Sequence, residues 1–141
     1  MEIDVLGIGA HPDDMELTSG GTFIKMAKLG YKTGVVDLTR GEMGTRGTPQ
    51  IRAQEASAAA DKMGLSVREN LELPDGLLEM KEEYKLKVAQ AVRRYKPKII
   101  ICPYWKDHHP DHVYASNLVT EGAFISGFNK IDLKGEPHRP K

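Results

Sequence analysis

The stretch GIGAHPDDMELTSGG, residues 7–21, decides how the chain is read. It grows out of an apolar run, Ile3 to Ile8, and opens as Gly7-x-Gly9, the start of a nucleotide-binding turn. Pro12 replaces the third glycine of such a turn, and Asp13 and Asp14 stand where a pyrophosphate would lie. Two carboxylates repel phosphate, so nucleotide binding is disfavoured. An aspartate at this point can simply cap the helix that follows. Capping accounts for one aspartate and leaves the other, and His11, without a role.

Outward from this stretch the chain alternates. Residues 3–8 read as a buried strand, residues 18–29 as a helix closed by Gly30, and residues 33–38 (TGVVDL) as a second strand. The loop RGEMGTRGTP follows, and Thr48 and Pro49 read as the N-cap and first position of a helix reaching Met63, with Gly64 behind it. Residues 70–73 read as a weak third strand. Tyr84, Val88, Ala91, Val92 and Tyr95 fall on one helical face ahead of Pro97. KIIIC (98–102) reads as a fourth strand, Pro110 opens a helix to about Ser126, and residues 127–141 are polar with no clear element.

Such alternation predicts an α/β fold, a Rossmann-like three-layer sandwich with a mostly parallel sheet, in one domain over residues 1–141. In the common strand order 3-2-1-4, the first and fourth strands are neighbours at the switch point, and ligands bind beyond their C-terminal ends. AHPDD and PYWKDHHPDH, the loops after those two strands, then face each other.

Bulk properties narrow the function. The 141 residues carry no net charge, are 28% charged and 40% apolar, and contain no basic cluster of the kind that binds nucleic acid. No apolar run approaches the roughly 20 residues of a membrane span. MEIDVLGIGA lacks a basic n-region, so no signal peptide is expected. A single cysteine, Cys102, excludes a disulfide framework within the chain and reads as a buried strand residue. The expectation is a cytoplasmic protein whose partner is a small molecule.

The two loops carry the chemistry. His11 and Asp14 are spaced His-x-x-Asp; His109 and His112 are spaced His-x-x-His. Two histidines and a carboxylate on one metal ion leave a position open for water, the mark of a catalytic rather than a structural site. The bland alternative is a solvated, histidine-rich loop. Asp13, beside Asp14, is the candidate general base. His109, if protonated, is the candidate donor to an oxyanion. Asp111 either orients His109 or supplies a favourable charge in the first turn of a helix. Arg52 and Arg46, on the loop after the second strand and the helix behind it, either bind substrate carboxylates or hydroxyls or are solvated surface residues. Gly20 and Gly21 are expected to allow close backbone approach at the start of a helix. Trp105 either stacks on a ligand or covers its loop.

With AHPDD after strand one and HPDH after strand four, the sequence resembles the LmbE-like, or PIG-L, N-acetylglucosaminyl de-N-acetylase superfamily. RGEMGTRGTPQIRAQEA resembles its bacillithiol-pathway branch, which deacetylates N-acetylglucosaminyl-malate. The resemblance implies zinc held by His11, Asp14 and His112; the ligand set itself suits Fe2+ as well. The resemblance also implies Asp13 as base, His109 at the oxyanion or leaving amine, Arg52 against the substrate, and a homo-oligomer. Relatives of that branch continue into a further strand and a C-terminal region that helps to close the pocket. This sequence stops at PHRPK, so the expectation is a domain whose C-terminal part is missing. Two other readings stand beside the deacetylase: a non-catalytic metal-binding homologue, and a non-haem Fe(II) oxygenase, which also uses two histidines and a carboxylate.

Overall fold

Side chains alternate across the first strand, and the alternation divides the core in two. In β1 (Val5–Gly9), Leu6 and Ile8 are fully buried in a large cluster, while Val5 joins a smaller one with Met15, Phe23, Val35 and Met63. The computed structural model describes residues 1–141. It places β2 (Thr33–Thr39), β3 (Val67–Leu73) and β4 (Ile99–Ile101) with β1 in one sheet, in the order β3-β2-β1-β4. Every strand pair is parallel, where the sequence predicted a mostly parallel sheet. Helices α1 (Asp14–Lys28) and α2 (Pro49–Met63) pack on the Phe23 side; α3 (Glu82–Tyr95) and α4 (Pro110–Ile125) cover the other. No helix is long and apolar enough to cross a membrane.

Three boundaries differ from the sequence reading. Helix α1 starts at Asp14 rather than residue 18, because Asp14 and Glu16 lie in its first turn, where the helix dipole favours acidic groups. Asp13 occupies the N-cap position but makes no capping hydrogen bond. Strand β3 begins at Val67 because it is an edge strand, whose charged residues need not alternate with a buried face; Arg68 reaches back to Asp37 on β2. Strand β4 is shorter than KIIIC and lies at the other edge, leaving Ile99 exposed. The start of α2 follows expectation: the Thr48 hydroxyl accepts the Ile51 N–H, Pro49 is the first residue, and Gly64 ends the helix in the left-handed conformation. The polar tail is anchored rather than loose. The buried Arg93 donates to the carbonyls of Ser126, Phe128, Leu133 and Gly135.

The glycines of the opening stretch divide by role. A Cβ on Gly7 would lie 2.7 Å from Phe23 and 2.8 Å from the Met15 sulfur, and one on Gly9 would lie 3.0 Å from the Asp14 Cβ. The Gly-x-Gly turn therefore draws α1 against β1 and sets Asp14 beside the strand end. Gly20 and Gly21, expected to serve close approach at a helix start, lie within α1 with nothing within 4 Å of an added Cβ. Gly7→Ala is expected to destabilise the fold by about 1–3 kcal/mol through overpacking. Gly21→Ala is expected to stabilise it by about 0.5–1 kcal/mol through helix propensity. Urea unfolding monitored by circular dichroism reads both, and shifts of the same sign would contradict this division.

Candidate active site at the β1 and β4 strand ends

Parallel pairing of β1 with β4 (Val5 beside Ile99, Gly7 beside Ile101) delivers both chemical loops to one edge of the sheet. His11 leaves β1 and is buried; Asp14 is the first residue of α1; His109 and His112 sit at the start of α4. The ligand atoms of His11, Asp14 and His112 all lie within 4.8 Å of one another. Asp14 is central to that group. One of its oxygens lies 3.3 Å from His112 Nε2, the other lies 3.6 Å from His11 Nδ1 and accepts the His11 N–H at 2.9 Å. The ring of His109 lies 4.8 Å from that of His11 and stacks on that of His112 at 4.7 Å.

The outer nitrogens of the two rings are held by other carboxylates. His11 Nε2 lies 3.0 Å from both Asp111 and Asp75. His112 Nδ1 lies 3.1 Å from Asp107. The Asp111 carboxylate also accepts the N–H groups of Gly76 (2.8 Å) and Leu78 (3.4 Å). Burial acts to lower the His11 pKa. Hydrogen bonds to Asp14 and Asp111, with the charges of Asp14 and Asp75, outweigh it and raise the value to about 9. Burial acts to raise Asp14 and Asp111, yet their hydrogen bonds hold both below the usual carboxylate range. The arrangement stabilises positive charge between the two loops.

Asp111 corrects the sequence reading. Its carboxylate does not orient His109; it turns inward to His11. The contact between Asp111 and His109 runs the other way: His109 is the N-cap of α4, and its Nδ1 accepts the Asp111 backbone N–H at 3.2 Å. A neutral His109 therefore carries its proton on Nε2.

The remaining predicted residues surround a cleft of about 380 Å3 over the cluster, walled by Leu17, Met43, Gly44, Asp75 and Gly76. Asp13 is half-exposed there. Arg52 donates to the Gly41 carbonyl at 3.0 Å and lies 3.5 Å from Asp13. Gly41 has φ of +64°, and a Cβ on it would overlap the Arg52 guanidinium, so the glycine is what lets Arg52 lie there. Arg46 is exposed on the adjoining rim with Thr45 and Glu55. Trp105 is exposed and packs on Tyr104 at 4.1 Å, outside the cleft. A larger cavity, about 540 Å3, lies along α2 and β3 and contains none of the histidines.

Three residues escaped the sequence reading. Asp75 and Gly76 come from the turn after β3, and its Pro74-Asp75-Gly76 signature at a strand's C-terminal end was the available signal. Asp107 lies inside the loop already singled out, but its role depends on which way His112 turns.

The arrangement is a cluster of histidines and carboxylates able to hold a metal ion, set at the edge of a parallel α/β sheet. Residues 6–123 match the PIG-L family, GlcNAc-PI de-N-acetylase, and the chain belongs to that family. It is 30% identical over 149 residues to the diacetylchitobiose deacetylase of Thermococcus kodakarensis, covering 95% of this chain and 56% of the relative. It is 28% identical over 134 residues to the 4-oxalmesaconate hydratase of Pseudomonas putida, covering 86% of this chain and 52% of that protein. Among solved structures, a conserved protein of Thermus thermophilus superposes with a TM-score of 0.94 at 45% identity, covering 98% of this chain and 63% of the other. The chain thus spans about half the length of the curated relatives it matches.

The Asp111 contacts predict a stability effect. Asp111→Ala leaves the Gly76 and Leu78 N–H groups without their acceptor and His11 Nε2 with Asp75 alone, at an expected cost of about 2–5 kcal/mol. Asp111→Asn keeps an acceptor oxygen and should cost less. Urea midpoints of the metal-free proteins test the order; two small and equal losses would contradict it.

Proposed function

We propose that this protein is a divalent-metal-dependent N-deacetylase acting on an N-acetylglucosamine conjugate, with N-acetylglucosaminyl-malate as the best candidate. The observation that carries the reading is the grouping of His11, Asp14 and His112, with Asp13 beside it on the open side. The donor set fits a metal: two imidazoles, each with its outer nitrogen on a carboxylate, and a third carboxylate between them. His11 through Nδ1, Asp14, and His112 through Nε2 would hold the ion. Zinc suits this set of ligands, and Fe2+ is the other candidate. When bound, such an ion lowers the pKa of water to about 7 and polarises an acyl oxygen.

The chain's own residues supply the rest. An Asp13 oxygen takes the proton from the attacking water and passes it to the departing nitrogen, so water and amide become acetate and a free amine. His109, through Nε2, donates to the developing oxyanion or to the leaving amine. Arg52, fixed by Gly41, stands ready for a sugar hydroxyl, and Arg46 on the rim for the carboxylates of the malyl group. The Thermococcus relative's name, a deacetylase of an N-acetylated sugar, supports the substrate class. The oxygenase reading is disfavoured, since the matching family model is that of a de-N-acetylase and the candidate ligands lie on a parallel α/β sheet. The Pseudomonas relative favours one second reading, addition of water to an unsaturated acid by the same water-activating residues. Acetate release tells the two apart.

Asp13→Asn is expected to keep about one zinc per chain by elemental analysis while lowering kcat for amine release by about 10²–10⁴-fold. His112→Ala is expected to lose the metal. An Asp13→Asn protein that turns over at the parent rate would falsify the mechanism. Arg46→Ala is expected to raise KM for N-acetylglucosaminyl-malate by about 10-fold and leave that for plain N-acetylglucosamine unchanged, as loss of a charge-assisted contact should. Equal effects on both substrates would remove Arg46 from malyl recognition.

A further inference from the structure

We propose that Asp107 is a positioning residue whose single carboxylate aims two histidines, the ring of His112 and the backbone of His109. One oxygen lies 3.1 Å from His112 Nδ1; the other accepts the His109 N–H at 2.8 Å. The second contact closes a turn in which an aspartate accepts from the residue two further on, immediately before Pro110 opens α4. The catalytic half of this inference rests on the deacetylase reading; the half concerning His112 rests on geometry.

A carboxylate can only accept, so Asp107 holds a proton on His112 Nδ1, and in the neutral ring that a metal requires the lone pair is then on Nε2. That nitrogen is the one 3.3 Å from Asp14. Asp107 and Asp14 therefore lie against opposite nitrogens of the ring, and Asp107 acts on the ring rather than joining the ligand group. Without it, His112 is free to adopt the other tautomer, which presents a proton to the metal position. The oxygen that takes the His109 N–H fixes the residue capping α4. Because His109 Nδ1 is occupied by the Asp111 N–H, its Nε2 edge is the one left for the cleft it lines. His108 is the other titratable group against Asp107, 3.3 Å away and fully exposed.

Asp107 and Asp111 thus divide the work of DHHPDH. Asp111 turns to His11 across 100 residues of sequence, and Asp107 to His112 five residues on. Both aspartates lie within one short loop and helix start, yet they serve histidines from different strand ends. Asp107 is exposed and lies outside both apolar clusters, so a substitution there leaves the core untouched.

Asp107→Asn separates the two contacts. Its amide oxygen can keep the His109 N–H, but its amide nitrogen then faces His112 Nδ1 and drives the ring proton onto Nε2. Asp107→Ala loses both contacts. Zinc dissociation constants come from competition with a chromogenic chelator, and melting temperatures from the metal-free proteins. Both variants are expected to bind zinc about 10–100-fold more weakly than the parent, with metal-free melting temperatures unchanged. At saturating zinc, Asp107→Asn should recover most of the parent kcat on N-acetylglucosaminyl-malate, and Asp107→Ala should stay about 10-fold or more below it. Parent-like zinc affinity in both variants overturns the proposal, as does weaker binding matched by an equal loss of metal-free stability. If the parent itself releases no acetate, the deacetylase reading falls, and the zinc titration alone still decides the role of Asp107.

Discussion

The hydrogen bond between His11 Nε2 and Asp111 is the contact on which the site depends. It joins residues 100 positions apart, and it is buried. It exists because β1 and β4 are parallel neighbours, so that both chains leave the sheet at the same edge. The same Asp111 carboxylate takes two N–H groups from the turn after β3. Three strand-end loops are therefore tied to one side chain, and the ring of His11 has no freedom left in which to rotate. Buried polar groups are costly unless each is satisfied. Here the cost is offset by a network in which the Asp111 carboxylate is met by two backbone N–H groups and the His11 ring.

The opening glycines serve this geometry rather than a phosphate. In a dinucleotide-binding turn the glycines let the backbone approach a pyrophosphate, and the helix dipole draws in the anion. In this chain the space beside Gly7 is taken by Phe23 and Met15, and that beside Gly9 by Asp14. A carboxylate of the protein itself occupies the positive end of α1. With a carboxylate in that place the turn is suited to a cation, as the proposed site requires, rather than an anion, while the strand-turn-helix frame is kept. Asp14 gains from both sides, since the helix start and the two histidines each favour its charged form.

Much of this was legible in the sequence because the decisive signals are local. His11-x-x-Asp14 and His109-x-x-His112 are short spacings, and strand order alone brings them together. Thr48, Pro49 and Gly64 marked the ends of α2 because caps are chosen by backbone conformation. What stayed hidden depends on tertiary direction. Asp111 was read against its sequence neighbour His109, but its side chain leaves the other face of the first turn and meets a residue 100 positions away. Asp75 needed the knowledge that the turn after β3 reaches over to β1. Gly20 and Gly21 misled for a related reason: a glycine pair signals close approach only where something approaches, and the space around them is open.

The Pseudomonas relative is a hydratase by name, so likeness in sequence does not by itself fix the reaction. A centre that activates water and places a carboxylate beside it will attack whatever electrophile is held in line. The choice between an amide carbonyl and an unsaturated acid lies in the walls of the cleft, which come from loops rather than from the sheet. In this chain those walls are the segment carrying Met43 and Gly44 and the turn carrying Asp75 and Gly76. The two are not independent, because the Asp75 carboxylate accepts the Met43 N–H at 2.8 Å and reaches His11 at 3.0 Å. A change in the substrate-facing loop is therefore transmitted, through one carboxylate, to the ring beside the proposed metal. In the proposed site, cleft walls and metal position are thus linked through Asp75, whereas Leu17 and Arg46 line the cleft and its rim outside that network.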